Sequence, residues 1–125
     1  MTADPLTLQP DSTVFKAVAM LNQVWIRHLP VCDGESVVGM ISDRDLRNFE
    51  IEDWINAVSA EKVREYLAMS VSKVMATEVK TIAPDASIQD AASAMLGAEI
   101  SALPVVEDGK IVGIVTTDDL LRTLV

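Results

Sequence analysis

Two short runs carry the side chains with the clearest chemical potential in this chain. One is Val37-Val38-Gly39-Met40-Ile41-Ser42-Asp43-Arg44-Asp45-Leu46, and the other is Ile111-Val112-Gly113-Ile114-Val115-Thr116-Thr117-Asp118-Asp119-Leu120. Each ends with a hydroxyl, Ser42 or Thr116, followed three residues later by a carboxylate, Asp45 or Asp119. Ser, Thr or Asp after an apolar run is a helix N-cap signal, and Asp in a first turn is favoured by the helix dipole. A free helix N-terminus also attracts an anion, so capping and ligand holding are compatible roles. Neither run offers a nucleophile paired with a base. His28, the one histidine, has no cysteine or carboxylate partner at a recognisable spacing, and one histidine cannot build a metal site of the usual kind. No catalytic residue, metal ligand or resident cofactor is assigned, and an enzyme is the least favoured class.

The elements that must position these groups follow from the pattern. Each run is preceded by Leu-Pro-Val (Leu29-Pro30-Val31, Leu103-Pro104-Val105) and a turn, Asp33-Gly34-Glu35 or Asp108-Gly109. This reads as a hairpin whose first strand is entered through proline, which is tolerated at a strand's first residue. The turn residues and the aliphatic return strand complete it. Ser42 or Asp43, and Thr116, then start a helix. Upstream, Pro10, an N-cap at Ser12 or Thr13, and Val14, Ala17, Val18 and Leu21 at helical spacing predict a helix over about 13–24. Ser87 with Asp90 resembles a capping box, with Ile88, Ala91, Ala92 and Met95 facing inward. Brief strands are expected at Leu6–Leu8 and Lys80–Ile82.

The whole pattern recurs without a gap at an offset of 74 residues. Between 10–48 and 84–122, eleven of thirty-nine positions are identical, which argues for duplication. The expected fold class is α+β, with tandem βαββα repeats. The expected units are residues 1–58 (first repeat), 59–72 (helical connector) and 73–125 (second repeat). Between the repeats, Ile51, Trp54, Ile55 and Val58 suit one helical face, and Val63 and Leu67 another. Ser70 could cap a short turn through Val74-Met75. None of this resembles a flexible Gly/Ser linker.

Composition narrows the partners. With a formal charge of −9 and a pI near 4.4, the chain lacks the basic face that nucleic-acid binding needs. A small anion requires only local positive charge. Half of the residues are hydrophobic and mean hydropathy is +0.28, yet no run approaches the 18 or so apolar residues of a membrane span. The excess reads as a second buried surface, most simply a homodimer interface. Cys32 is the one cysteine, read as a small buried hydrophobe in a reducing, cytoplasmic setting. No signal peptide is visible. Trp25 and Trp54 read as interface or core anchors, and the methionines as gap-fillers.

Taken together, Thr-x-x-Pro, a helix, Leu-Pro-Val and Gly-x-Val-Thr-x-x-Asp-Leu resemble the CBS domain, and the tandem copies resemble a CBS pair, or Bateman module. Val71-Ser72-Lys73-Val74-Met75 is similar to the leader that precedes each such repeat. For the first repeat Met1-Thr2 falls where such a leader would end, so the expectation is either a start trimmed from a longer protein or a first repeat whose packing is completed by something else. The resemblance implies small sheets packed against helices around a pseudo-two-fold axis. It also implies clefts between the repeats for AMP, ADP, ATP or S-adenosylmethionine, and modules paired into a disc.

By that resemblance Asp45 and Asp119 would accept from ribose hydroxyls through charge-assisted bonds. Ser42 and Thr116 would hold a ribose or phosphate oxygen, and Arg27, His28 and Arg44 would take the phosphates. Ile26, Ile82, Ile100 and Ala102 would supply the apolar slot for adenine. The second repeat has Ser101, Ala102 and Asp118 where the first has Arg27, His28 and Arg44. Asp118 is a like charge to phosphate, so the two clefts are expected to differ. The expected function is a non-catalytic regulatory module that senses an adenosine derivative. The alternative is a ligand-independent oligomerisation or interaction module with vacant clefts.

Overall fold

A computed structural model of the chain describes residues 2–3, 5–24, 27–47 and 60–125. Its elements are β1 (Thr2–Ala3), α1 (Val14–Val24), β2 (His28–Asp33), β3 (Ser36–Ser42), α2 (Asp43–Arg47) and α3 (Ala60–Ala68). There follow a 3₁₀ turn (Val71–Lys73), α4 (Ile88–Ala98), β4 (Ala102–Glu107), β5 (Lys110–Thr116) and α5 (Thr117–Arg122). The 74-residue offset carries α1 onto α4, β2 onto β4 and β3 onto β5. It even carries the bulge at Val31/Cys32 onto the one at Val105/Val106. The fold is α+β.

Local chemistry accounts for the element boundaries. Thr13 caps α1, accepting from the Lys16 N–H at 3.2 Å. Ser87 and Asp90 form a reciprocal capping box on α4. Glu99 ends α4 in the left-handed region at φ 56°. The second hairpin turns through Asp108 and Gly109, both at positive φ, the pair that a tight two-residue turn requires. The brief first strands are shorter than expected. Leu6 and Thr7 stay outside any ladder, and only Leu8 bridges Val31, as Ile82 bridges Val105. Leu8 binds both sides of Val31 through its N–H to the Pro30 carbonyl and its carbonyl to the Cys32 N–H, and Pro10 then turns the chain away. Ser70 precedes the 3₁₀ turn but makes no side-chain cap. The apolar face at Ile51, Trp54, Ile55 and Val58, together with Trp25, lies outside the described residues.

The repeats are interlocked. The segment entering the second repeat pairs with the first hairpin: Met40 and Ala76 exchange both backbone hydrogen bonds at 3.0 Å. Conversely β1, which enters the first repeat, pairs with β5 of the second. The hairpin tips also meet, through the Ile111 N–H to the Glu35 carbonyl at 2.9 Å and an exposed Lys110–Glu35 ion pair at 3.2 Å. That ion pair adds little in solvent.

Each repeat keeps its own core. Leu8, Ala17, Leu21, Leu29, Val31 and Ile41 form the first, and it also takes in Val71 from the leader of the second repeat. Ala91, Met95, Leu103, Val105 and Val115 form the second. The connector covers the start of α1, where the Val14 N–H donates to the Met69 carbonyl and Val14 is fully buried. At the equivalent place on α4, Ile88 is half exposed.

Gly39 is where the leader presses hardest on the first hairpin. A Cβ at this position would collide with the Met75 side chain. Gly39→Ala is therefore expected to destabilise by about 1–3 kcal/mol, the usual range for overpacking. Urea melts check it, with Met75→Ala in the same chain recovering part of the loss. A Gly39→Ala variant as stable as the parent would show that Met75 is not packed there.

Candidate functional site

The two hydroxyl–carboxylate pairs fold locally as reciprocal caps. Ser42 Oγ accepts from the Asp45 N–H at 3.1 Å, and Asp45 Oδ2 accepts from the Ser42 N–H at 2.9 Å. Thr116 Oγ1 accepts from the Asp119 N–H at 3.3 Å, and Asp119 Oδ2 accepts from the Thr116 N–H at 2.8 Å. These caps satisfy donors that a short helix cannot satisfy itself. Each carboxylate thus spends Oδ2 on its own backbone, so Asp45 offers chiefly Oδ1 to a further donor. A second bond ties each helix start to the residue before its hairpin: the Asp43 N–H reaches the Arg27 carbonyl, and the Thr117 N–H reaches that of Ser101, both at 3.0 Å. The tie brings Arg27 and His28 beside Ser42 and Asp45.

Between the repeats lies a cleft of about 1000 Å³. From the first repeat it is lined by Arg27, His28, Met40, Ser42, Arg44 and Asp45. From the second come Ile100, Ser101, Ala102 and Thr117, and from the entering segment Ala76, Glu78, Val79 and Lys80. Seven of the residues singled out in the sequence therefore share one cleft: Arg27, His28, Ser42, Arg44, Asp45, Ile100 and Ala102. Thr116 and Asp119 do not line it; they form the matching cap on the other hairpin. Ile82 packs against the second core instead. Ile26 lies outside the described residues.

Lys80 is the lining cation that sequence reasoning missed. Its signal was its place directly before Thr81 in the Thr-x-x-Pro run, on the segment that Ala76 ties to Met40. Arg27, Arg44 and Lys80 stand against Asp43, Asp45, Glu78 and Glu99 around the cleft. With His28 neutral the lining is slightly acidic, as the chain is, but it gathers three cations at one place in a chain carrying −9. Met40, Val79, Ile100 and Ala102 give it apolar wall.

His28 joins the two repeats across this cleft, with Nε2 3.0 Å from Ser101 Oγ. Burial holds the His28 ring below its ordinary value of 6.5, opposed by the nearby Asp43 and Asp45 carboxylates and reinforced by Arg27. The Tyr66 phenol on α3 is pushed up, mainly by burial and also by the Asp45 charge. Burial likewise raises the Cys32 thiol, and its side chain is 1% exposed, as expected of a core residue. Among the described residues no His, Cys, Asp and Glu group could hold a metal ion, and no helix is long and apolar enough to cross a membrane.

The lowered His28 value sets a pH dependence. The unfolded state binds the proton more readily, so stability is full above 6.5 and falls as pH drops below it, down to the folded value. The thermal midpoint is expected to decline between pH 7.5 and 5.5, and His28→Gln should flatten that decline. An unchanged slope in His28→Gln would assign it to the carboxylates.

Two interlocked repeats with a ligand-sized inter-repeat cleft define a tandem binding module. The CBS domain model matches residues 1–52 and 71–125, and the chain belongs to the CBS-domain family. It is similar to the CBS domain-containing protein YhcV of Bacillus subtilis, at 30% identity over 120 residues, covering 96% of this chain and 79% of that protein. Among solved structures it is similar to CBSX2 in complex with AMP, with a TM-score of 0.81 and 26% identity over 99% of this chain and 91% of that one. It is also similar to the CBS domain pair of protein MJ0100 in complex with 5′-methylthioadenosine and S-adenosyl-L-methionine. There the TM-score is 0.80 and the identity 25%, over 99% of this chain and 90% of that one. The inosine-5′-monophosphate dehydrogenase of Methanocaldococcus jannaschii is 31% identical over 121 residues, but this chain spans only 21% of that enzyme. The match to such dehydrogenases is through their CBS portion, and the chain is a CBS pair, not an enzyme.

Proposed function

We propose that the chain is a regulatory sensor that binds an adenosine derivative in the cleft between its repeats. The observation that carries this reading is the composition of that cleft. It has a carboxylate whose cap uses Oδ2 and leaves Oδ1 outside the cap to meet a ribose diol, Arg27, His28, Arg44 and Lys80 along its lining, and an apolar wall. The AMP complex of CBSX2 and the 5′-methylthioadenosine and S-adenosyl-L-methionine complexes of MJ0100 support it. The candidate ligands are AMP, ADP, ATP and S-adenosylmethionine. Occupancy acts by favouring one relative arrangement of the repeats, to the extent that the ligand binds that arrangement better. The setting is cytoplasmic, and nucleic acid is not a partner for a chain of this charge.

Calorimetry with AMP, ADP, ATP, NAD and S-adenosylmethionine tests the reading, and silence across the panel with folded protein would end it. Asp45→Ala is expected to weaken binding by at least about tenfold, the value of a charge-assisted hydrogen bond. Asp119→Ala should leave the Asp45 cleft intact. For a phosphate-bearing ligand, Arg44→Ala should reduce affinity more than Asp118→Asn; equal losses would remove the assignment of Arg44 to the phosphate.

A second reading has a specific observation in its favour. Leu96, Leu121 and Leu124 are 81%, 57% and 81% exposed on or beside α4 and α5. Such a face suits a homodimer interface, with or without ligand. Light scattering on the eluting protein is expected to give the dimer mass. Leu96→Glu combined with Leu121→Glu should give the monomer. A dimer that survives both changes would place the interface elsewhere.

A further inference from the structure

The two repeats differ at the pair that faces across the cleft. The 74-residue offset places Ala102 where the first repeat has His28, and Ser101 where it has Arg27. His28 and Ser101 nevertheless meet, Nε2 to Oγ at 3.0 Å, one from each repeat and both lining the cleft. No such pair can form between Arg27 and Ala102. The ring is half-buried, so it does not simply sample solvent. The charged groups lining the same cavity are Arg27 beside it, Asp43, Arg44 and Asp45 at the start of α2, Glu99 near Ser101, and Glu78 and Lys80 on the entering segment.

We propose that His28 and Ser101 form a proton-linked receptor for an anionic group, so that a phosphate-bearing ligand enters this cleft together with a proton. The inference rests on the adenosine-sensor reading and adds which chemical class the cleft selects and how. In the neutral ring, Nε2 can accept from the Ser101 hydroxyl. When the ring takes up a proton, Nε2 can only donate. Ser101 Oγ then accepts, and its own proton is turned toward a new acceptor. An anion beside the pair favours the charged ring and receives the released hydroxyl proton. Both changes operate only when the ligand carries negative charge. A neutral thioether nucleoside or a sulfonium gives the ring no reason to charge. Burial disfavours the charged ring in the free protein, so a proton remains to be taken up when the anion binds.

The sign is fixed. Affinity for a phosphate-bearing ligand rises as pH falls from the value of the bound ring toward that of the free ring. The ceiling for one proton is about tenfold per pH unit. The phosphate's own second ionisation, near about pH 6, acts equally in parent and variant and is subtracted by comparing them.

The test is calorimetry of the full chain at pH 7 in PIPES and in Tris, whose ionisation heats differ. AMP and 5′-methylthioadenosine are the two probes. Net proton uptake is expected with AMP and none with 5′-methylthioadenosine. In His28→Gln, AMP should still bind, more weakly, without the uptake. Because His28 is the only histidine, its imidazole C–H resonance reports the same event in the unaltered protein. The resonance should titrate below 6.5 when free and move upward with AMP. AMP binding without proton uptake, uptake that persists in His28→Gln, or an unmoved resonance would each overturn the inference. So would binding of 5′-methylthioadenosine with rejection of AMP, which would leave the adenosine-sensor reading standing. Silence of both probes, and of ADP, ATP, NAD and S-adenosylmethionine as well, would instead overturn that reading and this one with it.

Discussion

The structure depends on an exchange of entering segments between the two repeats. Ala76 pairs with Met40 of the first hairpin, and Thr2–Ala3 pairs with the return strand of the second. Each backbone bond is worth only about 1 kcal/mol net, but the exchange fixes where the repeats sit. It also draws Val71 into the first core and sets Met75 against Gly39. The cleft is a consequence. Its walls come from two hairpins, and its floor is the segment 76–80 that leads away from the exchange.

That arrangement explains how a chain of two similar halves acquires an unequal site. The framework residues are spent on architecture in both copies. Ser42–Asp45 and Thr116–Asp119 cap their helices alike. What surrounds the caps differs, because those positions face the cavity and carry little of the folding constraint. Arg27, His28 and Arg44 gather in the described cleft with Lys80. A duplicated scaffold with divergent lining can hold different ligands, or one ligand once, without changing its core.

The repeat, the hairpins, the capping residues and the two main helices were legible in the sequence. Each is set by local rules: turn chemistry, helical spacing and the hydroxyl–carboxylate interval. The brief first strands reduce to single bridges at Leu8 and Ile82, since a proline two residues on leaves no room for a ladder. Lys80 is marked only by its place before the Thr-x-x-Pro run, and that place says nothing of which cavity the segment lines. Ile82 resembled its neighbours in chemistry and was read as pocket wall, yet it faces the second core.

The chain alone determined that there are two copies of one α+β unit, that each hairpin ends in a capped helix, and which charged residues distinguish the copies. These properties reside within a few residues of one another. Only the tertiary structure decided which of the distinguishing residues meet. Arg27, His28 and Asp45 share a cavity with Ser101 and Lys80 because the entering segments cross between repeats. Sequence offset carries no information about which edge a strand pairs with, and that pairing places a histidine of one repeat against a serine of the other.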